Sequence, residues 1–309
     1  MTDTSRRAWG VGLATLTDDG QVLDTWYSAL GLGPLPSDRR GPYGVPADLA
    51  SLAATDTARG VHQEVVRTEI DLDAAPANTS DAYLRLHLLS HRFLAPYEVS
   101  LEGLLDVLPL NVWTSVGPCS PDNFDDVRLQ LRIAAKGTPV TVRAVAKIPP
   151  MVDYVLPGDV AIADAARVRL GAYLAPGTKV THEGFVDANA GTSGAAMIQG
   201  RVSRGVIVAE GSHIGGSASL LPSEGDHPIT IGSGCLVGAN AGVGISLGDR
   251  CVVEAGLFLT PGTKVTVRTA DDPHRRVLSA HDLAGVSGML FRRNSTTGVV
   301  EAFDRGGVE

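Results

Sequence analysis

Aliphatic side chains recur every six residues through the middle of the chain. Ile162, Val168, Leu174, Val180 and Val186 open the series, and Val202, Val208, Ile214 and Leu220 continue it. Ile231, Val237 and Val243, then Leu247, Val253, Leu259 and Val265, complete it. Between them stand glycines and other small or turn-forming residues, as in LGAYLAPGTKV and VEAGLFLTPGTKV. An amphipathic helix would space its apolar positions by three and four, and a half-buried strand by two. A sustained six fits neither. It fits a parallel β-helix, in which three flat six-residue faces make a coil of about 18 residues and every sixth side chain points to the axis. Residues 155–265 then build about six coils. The beat breaks at 187–199 (DANAGTSGAAMIQ) and at 222–228 (PSEGDHP), and both read as loops thrown out of the prism.

The flanks follow other patterns. Residues 8–28 read as a β-hairpin around TDDG, and 61–71 as a further strand. Residues 29–50 form a Gly- and Pro-rich loop leading into a short helix at PADLASLAA. Residues 81–94 predict a helix capped by Ser80 or Asp81, with an apolar stripe of Leu84, Leu86, Leu88, Leu89 and Phe93, ended by Pro96. A short second helix is expected within 99–108, a strand after 110, a helix at 123–134 and a strand at 139–147. After Val265 the period stops. Residues 269–283 read as an irregular cap, and GMLFRRNSTTGVVEAF as a C-terminal hairpin. The fold class is therefore mainly β. An N-terminal α+β domain (1–109) and a connecting α/β segment (110–150) precede the β-helix (151–268), and a cap with its hairpin (269–309) follows.

Composition narrows the function. With 26 Lys and Arg against 34 Asp and Glu the formal charge is −8, which argues against non-specific binding to nucleic acid or an anionic membrane. The 36 glycines follow no triplet, so they serve tight turns rather than collagen. Cys119, Cys235 and Cys251 form no CxxC pair and suit a reducing cytoplasm. The start, MTDTSRRAWGVGLATL, reads as a first strand rather than a signal peptide, and no apolar run is long enough to span a membrane. Walker, dinucleotide, HExxH and GxSxG motifs are absent. His87 and His91 stand four apart on the helix but lack further ligands at metal spacing, so they read as ordinary helix histidines. His182 and Glu183, at a coil edge, are either a polar site at a subunit interface or a solvated turn. Arg292 and Arg293, beside a hairpin turn in RRNS, are suited to bidentate contact with carboxylate or phosphate, and Arg275 and Arg276 add charge in the cap. A flat face of the prism can pack against the same face of a neighbour, and three copies close the assembly. The grooves between prisms suit an extended cofactor.

Longer strings carry a resemblance. GVGLATL, DAYLRLHLLSHR, NVWT followed by GPC, MVDYV, LAPGTKV, HEGFV, NAGT, VGAN, GISLGD, CVVEAGL and LFRRNS run almost end to end along the chain. In them the chain resembles the actinobacterial-type tetrahydrodipicolinate N-succinyltransferase family. The resemblance implies a left-handed β-helix, a homotrimer, and transfer of succinyl from succinyl-CoA to the amino group of ring-opened tetrahydrodipicolinate in lysine and diaminopimelate synthesis. It implies that Arg201, Gly216, Ser219, Ala239, Glu254 and Ala255 line the groove for cofactor or acceptor. Gly262, Arg275 and Arg276 would contact the cofactor, and Arg292, Arg293, Asn294 and Ser295 would close the far end. Glu183 would help hold Mg²⁺ on the trimer axis.

Two positions depart from the pattern. Gln199 stands where the family has the glutamate proposed as its catalytic carboxylate, and an amide neither forms an anhydride easily nor takes a proton as a base. Ala166 stands where the family places the Asp partner of Glu183, and one carboxylate per subunit makes poor Mg²⁺ ligation. The segment PSEGD is also shorter than the family's loop near the acyl pocket. Three readings follow for Gln199: a succinyltransferase in which it only orients substrate, a paralogue acting on another amine, or an inactivated chain that binds acyl-CoA.

Overall fold

The computed structural model describes residues 6–36, 47–222, 228–268 and 276–304. The chain divides into two compact units, one of Met1–Leu89 with Phe93–Pro149 and one of Ser90–Arg92 with Pro150–Glu309.

In the first unit the strands Arg7–Thr17 and Val22–Leu32 pair antiparallel as the predicted hairpin. Val61–Asp71 pairs on the other side of the first strand, and the short strand Thr55–Asp56 completes a four-stranded sheet. A second sheet joins Gly117–Cys119, Asn111–Thr114 and Val142–Ala146 in that order, with the helix Phe124–Ala134 packed through Leu131 and Phe124 against Val112 and Cys119.

The long helix differs from its expected form in three ways. It runs Thr79–Ser90, so it begins two residues early and ends before Leu94. Its cap is Asn78, whose side-chain oxygen accepts from the Asp81 backbone N–H at 3.0 Å. Asp81 is instead engaged by the buried Arg85, whose Nε donates to it at 2.6 Å. The stop is Arg92, in the left-handed region at φ 64, with the Phe93 N–H reaching back to Leu88 O at 2.9 Å. The expected stripe is also replaced. Residues 81–90 are buried all round and Phe93 is exposed, so the segment is a core helix with no solvent face. His87 is a core residue, bonded through Nδ1 to Tyr83 O at 2.7 Å.

The second unit is the three-sided parallel β-helix. Its first face stacks Ile162, Val180, Ile198, Ile214, Val237 and Val253, and Phe291 continues the ladder. The second stacks Val168, Val186, Val202, Leu220, Val243 and Leu259. The third stacks Leu174, Thr192, Val208, Ile231 and Leu247. All these axial side chains except Ile162 are buried. Each burial is worth about 1.5–3 kcal/mol, which makes the stack one continuous core.

The segment 187–199 is not an excursion. It carries the strands Gly191–Thr192 and Met197–Ile198, in register with the coils on either side. The axial place at 192 is filled by a polar side chain that satisfies itself: Thr192 Oγ1 meets Thr178 Oγ1 at 2.7 Å and accepts from the Ala175 N–H at 3.0 Å. A small polar axial residue is what hid the beat. The coils also differ in length. Val180 and Ile198 are partners 18 residues apart, but Ile198 and Ile214 only 16. The shortening falls at the corner between Ile198 and Val202, where the N–H groups of Gln199 and Gly200 both point to Ile214 O, at 2.8 and 3.2 Å. Most of the second expected excursion, 223–227, lies outside the described residues.

The hairpin is extended beyond expectation. Met289–Arg293 pairs parallel with Val252–Val253 and antiparallel with Val300–Asp304, so it prolongs the first face. Of the cap, 269–275 lies outside the described residues. Arg276–Ser279 is a regular strand antiparallel to Lys264–Arg268, and Ser279 caps the turn Ala280–Leu283 with a reciprocal Asp282 contact, so this part is ordered by pairing rather than irregular.

Candidate functional site

The corner between the first and second faces repeats once per coil. It comprises residues 181–184, 199–200, 215–217, 238–240 and 254–256. These turns stack so closely that Gly215 and Gly238 leave no room for a side chain. A Cβ on Gly215 would sit 2.8 Å from the Ala239 N, and one on Gly238 2.5 Å from the Ala255 N. Glu183, Gln199, Gly216, Ala239, Glu254 and Ala255, far apart in sequence, therefore lie along one edge of the prism.

The shortened corner at Gln199 leaves a notch in that edge. Glu183, one coil earlier, reaches across it, so that a Cβ on Gly216 would lie 3.0 Å from Glu183 Oε2. Gln199 is half-buried in the notch, and its Oε1 lies 3.0 Å from His213 Nε2. His213 sits on the first face, in register between Met197 and Leu236 on the adjoining coils.

On the second face, Phe185, Arg201, Ser219, Gly242 and Phe258 form one outward row. The Arg201 guanidinium lies 4.4 Å from the centre of the Phe185 ring. It also approaches Asp187 at 3.8 Å, and its Nε donates to Ser203 Oγ at 3.2 Å. Arg169 shares both Asp187 and Phe185. The Phe258 ring lies over Gly242, where a Cβ would meet it at 2.5 Å, and is largely exposed.

At the end of the edge the hairpin arrives. Glu254 Oε2 accepts from the Arg293 N–H at 2.7 Å, which joins the corner to the RRNS turn. Asn294 Oδ1 accepts from the N–H groups of Thr296 and Thr297, each at 3.0 Å, and fixes that turn. Beneath it lies Glu301, only 3% exposed. It accepts from Arg268 Nη2 and, at 3.2 Å, from Asn294 Nδ2, with Arg292 Nη2 at 3.6 Å. The guanidiniums of Arg268 and Arg292 flank the Phe303 ring at 5.5 and 4.3 Å. Burial alone would push the Glu301 carboxyl up, but the Asn294 hydrogen bond and the two arginines outweigh it and hold it below the ordinary glutamate range. Arg292, Arg293 and Ser295 are exposed above this base.

The other expected residues are dispersed. Gly262 is in an exposed turn with open space around it. Arg276 pairs with Val267, at the opposite end of that strand pair from Lys264 and the turn. Arg275 lies outside the described residues. Ala166 is exposed and offers no donor atom, and Asp164 is spent accepting from the Ala166 N–H at 3.0 Å. Glu183 is thus a single carboxylate, a donor set that does not suit Mg²⁺, which wants near-octahedral oxygen. His213, Phe185, Asp187 and Glu301 escaped the sequence reading. The signal for His213 was its place one 16-residue coil after Met197, which needs the coil length to be known.

Residues 228–261 match the hexapeptide repeat of succinyl-transferase, and residues 108–149 match the tetrahydrodipicolinate N-succinyltransferase middle region. The fold resembles the crystal structure of a Campylobacter jejuni protein named as a 2,3,4,5-tetrahydropyridine-2-carboxylate N-succinyltransferase, with TM-score 0.80 over 99% of this chain and 94% of that one. At 23% identity that likeness bears on the fold alone. Hexapeptide repeats on a left-handed parallel β-helix with an N-terminal domain define the class: a hexapeptide-repeat acyltransferase. The 2,3,4,5-tetrahydropyridine-2,6-dicarboxylate N-succinyltransferases of Pseudomonas aeruginosa and Pseudomonas putida are 49% and 48% identical over 257 residues, 82% of this chain and 74% of each of theirs. The chain belongs to the tetrahydrodipicolinate N-succinyltransferase family.

Proposed function

We propose that the chain transfers the succinyl group of succinyl-CoA to the amino group of ring-opened tetrahydrodipicolinate, or of a closely related amino dicarboxylic acid, as a cytoplasmic homotrimer. The names of its relatives supply the reaction. The observation that carries it to this chain is the continuous edge running from the Gln199 notch to the Arg292–Arg293 turn, one end polar and half-buried, the other cationic on a chain of net charge −8. Residues 151–268 would carry the chemistry and 269–309 would hold the anionic part of the cofactor. Arg292 and Arg293 suit phosphate or carboxylate oxygens, and Arg201 with Ser219 suits a carboxylate of the acceptor or acyl group. Gly216, Ala239, Glu254, Ala255 and Gly262 would offer close backbone approach to an extended ligand.

The chemistry asks little. A deprotonated amine attacks the thioester carbonyl, a tetrahedral intermediate forms, and the C–S bond breaks to release the thiol of CoA. Alignment of amine and carbonyl supplies much of the rate. Gln199 orients groups in the notch rather than acting as a base, and no step passes through a metal. Thiol release from succinyl-CoA with a panel of amino dicarboxylic acids tests the proposal, and release with at least one is expected. Tight binding of succinyl-CoA with no release from any acceptor would overturn it.

A further inference from the structure

Resting on that reading, we propose that His213 is the proton acceptor of the transfer and that Gln199 is its positioning residue. The reaction must remove a proton from the attacking amine, yet the amide of Gln199 cannot take one. The other titratable groups on the adjoining corner and faces are Lys179, His182, Glu183, Asp187, Arg201 and Glu254, with the buried thiols of Cys235 and Cys251, which are engaged by Gly248 O and Val286 O. Lys179 is a cation. Glu254 accepts from Arg293, and Asp187 lies between Arg169 and Arg201 at 3.6 and 3.8 Å, so both carboxylates are tied to the positive groups they hold in place. His182 and Glu183 are exposed to solvent in the turn itself rather than packed in one orientation. His213 is half-buried, with Met197 and Leu236 beside it in register and its ring held at Nε2 by Gln199 Oε1 at 3.0 Å.

The contact with Gln199 also selects the tautomer. An amide oxygen only accepts, so Nε2 carries the hydrogen and Nδ1 keeps the lone pair. Among the described residues Nδ1 has no hydrogen-bond partner. In the step, the ammonium of the acceptor gives one proton to Nδ1. The free amine adds to the carbonyl, and the second proton of the resulting N–H₂⁺ leaves to solvent. The imidazolium then protonates the departing thiolate. One C–N bond forms, one C–S bond breaks, and one proton is released overall.

The test compares the full chain with His213→Gln and His213→Asn, using succinyl-CoA and two acceptors. One is an α-amino dicarboxylic acid, protonated at neutral pH. The other is its aminooxy counterpart, a much weaker base that is unprotonated there. With the amine, kcat is expected to fall on the order of 10²–10⁴-fold in both variants. KM for succinyl-CoA should stay within about twofold and the melting temperature unchanged. With the aminooxy acid the loss should shrink to less than about tenfold, because no proton need be taken before attack. Equal losses with both acceptors, or retention of a third of kcat with the amine, would overturn the proposal. A second measurement keeps the histidine. In Gln199→Glu a carboxylate against Nε2–H stabilises the imidazolium, so the acidic limb of the kcat/KM profile should move to higher pH. A limb that stays in place also overturns it. If the unaltered chain releases no thiol with any acceptor, the parent reading falls and this one with it. An active chain indifferent to His213 sinks this one alone.

Discussion

Glu301 shows how one buried carboxylate can set the geometry of a surface turn. It lies just under the surface, and Arg268, Arg292 and Asn294 converge on it. Replacing it by Gln keeps the shape and removes the charge, leaving the arginines to repel one another. The cost should be about 1–3 kcal/mol, held down because both guanidiniums reach solvent. The turn that presents Arg292 and Asn294 should loosen, and KM for succinyl-CoA should rise by about an order of magnitude, or about 1.4 kcal/mol. The pH dependence has a definite sign. A carboxyl held low in the folded state stabilises above its unfolded value, and that stability is lost as pH falls through the folded value. The melting-temperature gap between the native chain and Glu301→Gln should therefore be widest near neutrality and close as pH drops below the ordinary glutamate range. A gap independent of pH would contradict the assignment. Arg292 and Arg293 were legible in the sequence because paired guanidiniums beside a turn declare themselves. Glu301 was not, since nothing in GVVEAF marks one residue of an apolar strand as the base beneath a turn 7 residues away.

The corner turns make a sharper distinction between residues the fold needs and residues the ligand needs. Gly238 has the Ala255 backbone where a Cβ would go, whereas Gly262 faces open space. Gly238→Val should cost about 1–3 kcal/mol by overpacking and lower the melting temperature, with activity falling as the edge distorts. Gly262→Ala should leave stability within about 0.5 kcal/mol. If Gly262 touches the cofactor, the same change should still raise KM for succinyl-CoA, so thermal melts and kinetics together separate the two roles. The β-helix itself was readable because aliphatic axial residues recur without regard to what the faces carry. Reading failed where a local contact replaced the expected residue type. Thr192 takes an axial place because Thr178 and the Ala175 N–H satisfy its hydroxyl. Arg92 stops a helix in the left-handed region without the glycine or proline that would announce it. The shortened corner at Gln199 was invisible for a related reason: a 16-residue coil looks like a lost beat until its partner strands are known.

In the whole molecule, assembly depends on what lies beside the proposed active edge. The outward row of the first face carries Met197, His213, Leu236, Val252 and Leu290, and Leu236 is 45% exposed. This row, apolar except for His213 and next to the proposed catalytic corner, is the surface an identical prism would cover in the proposed trimer. Leu156, 81% exposed, is not part of that row and serves as the control. Leu236→Glu places a charge in the covered row, so light scattering should shift from three times the 32.1 kDa chain toward the single chain. Turnover should fall with it and recover as protein concentration is raised, because assembly follows mass action. Leu156→Glu should change neither mass nor turnover. If Leu236→Glu separates the chains while each keeps full activity at all concentrations, the edge works alone and the neighbour contributes nothing to it. If mass and activity stay at their native values, the row is solvent-facing and the trimer, if formed, closes through another face.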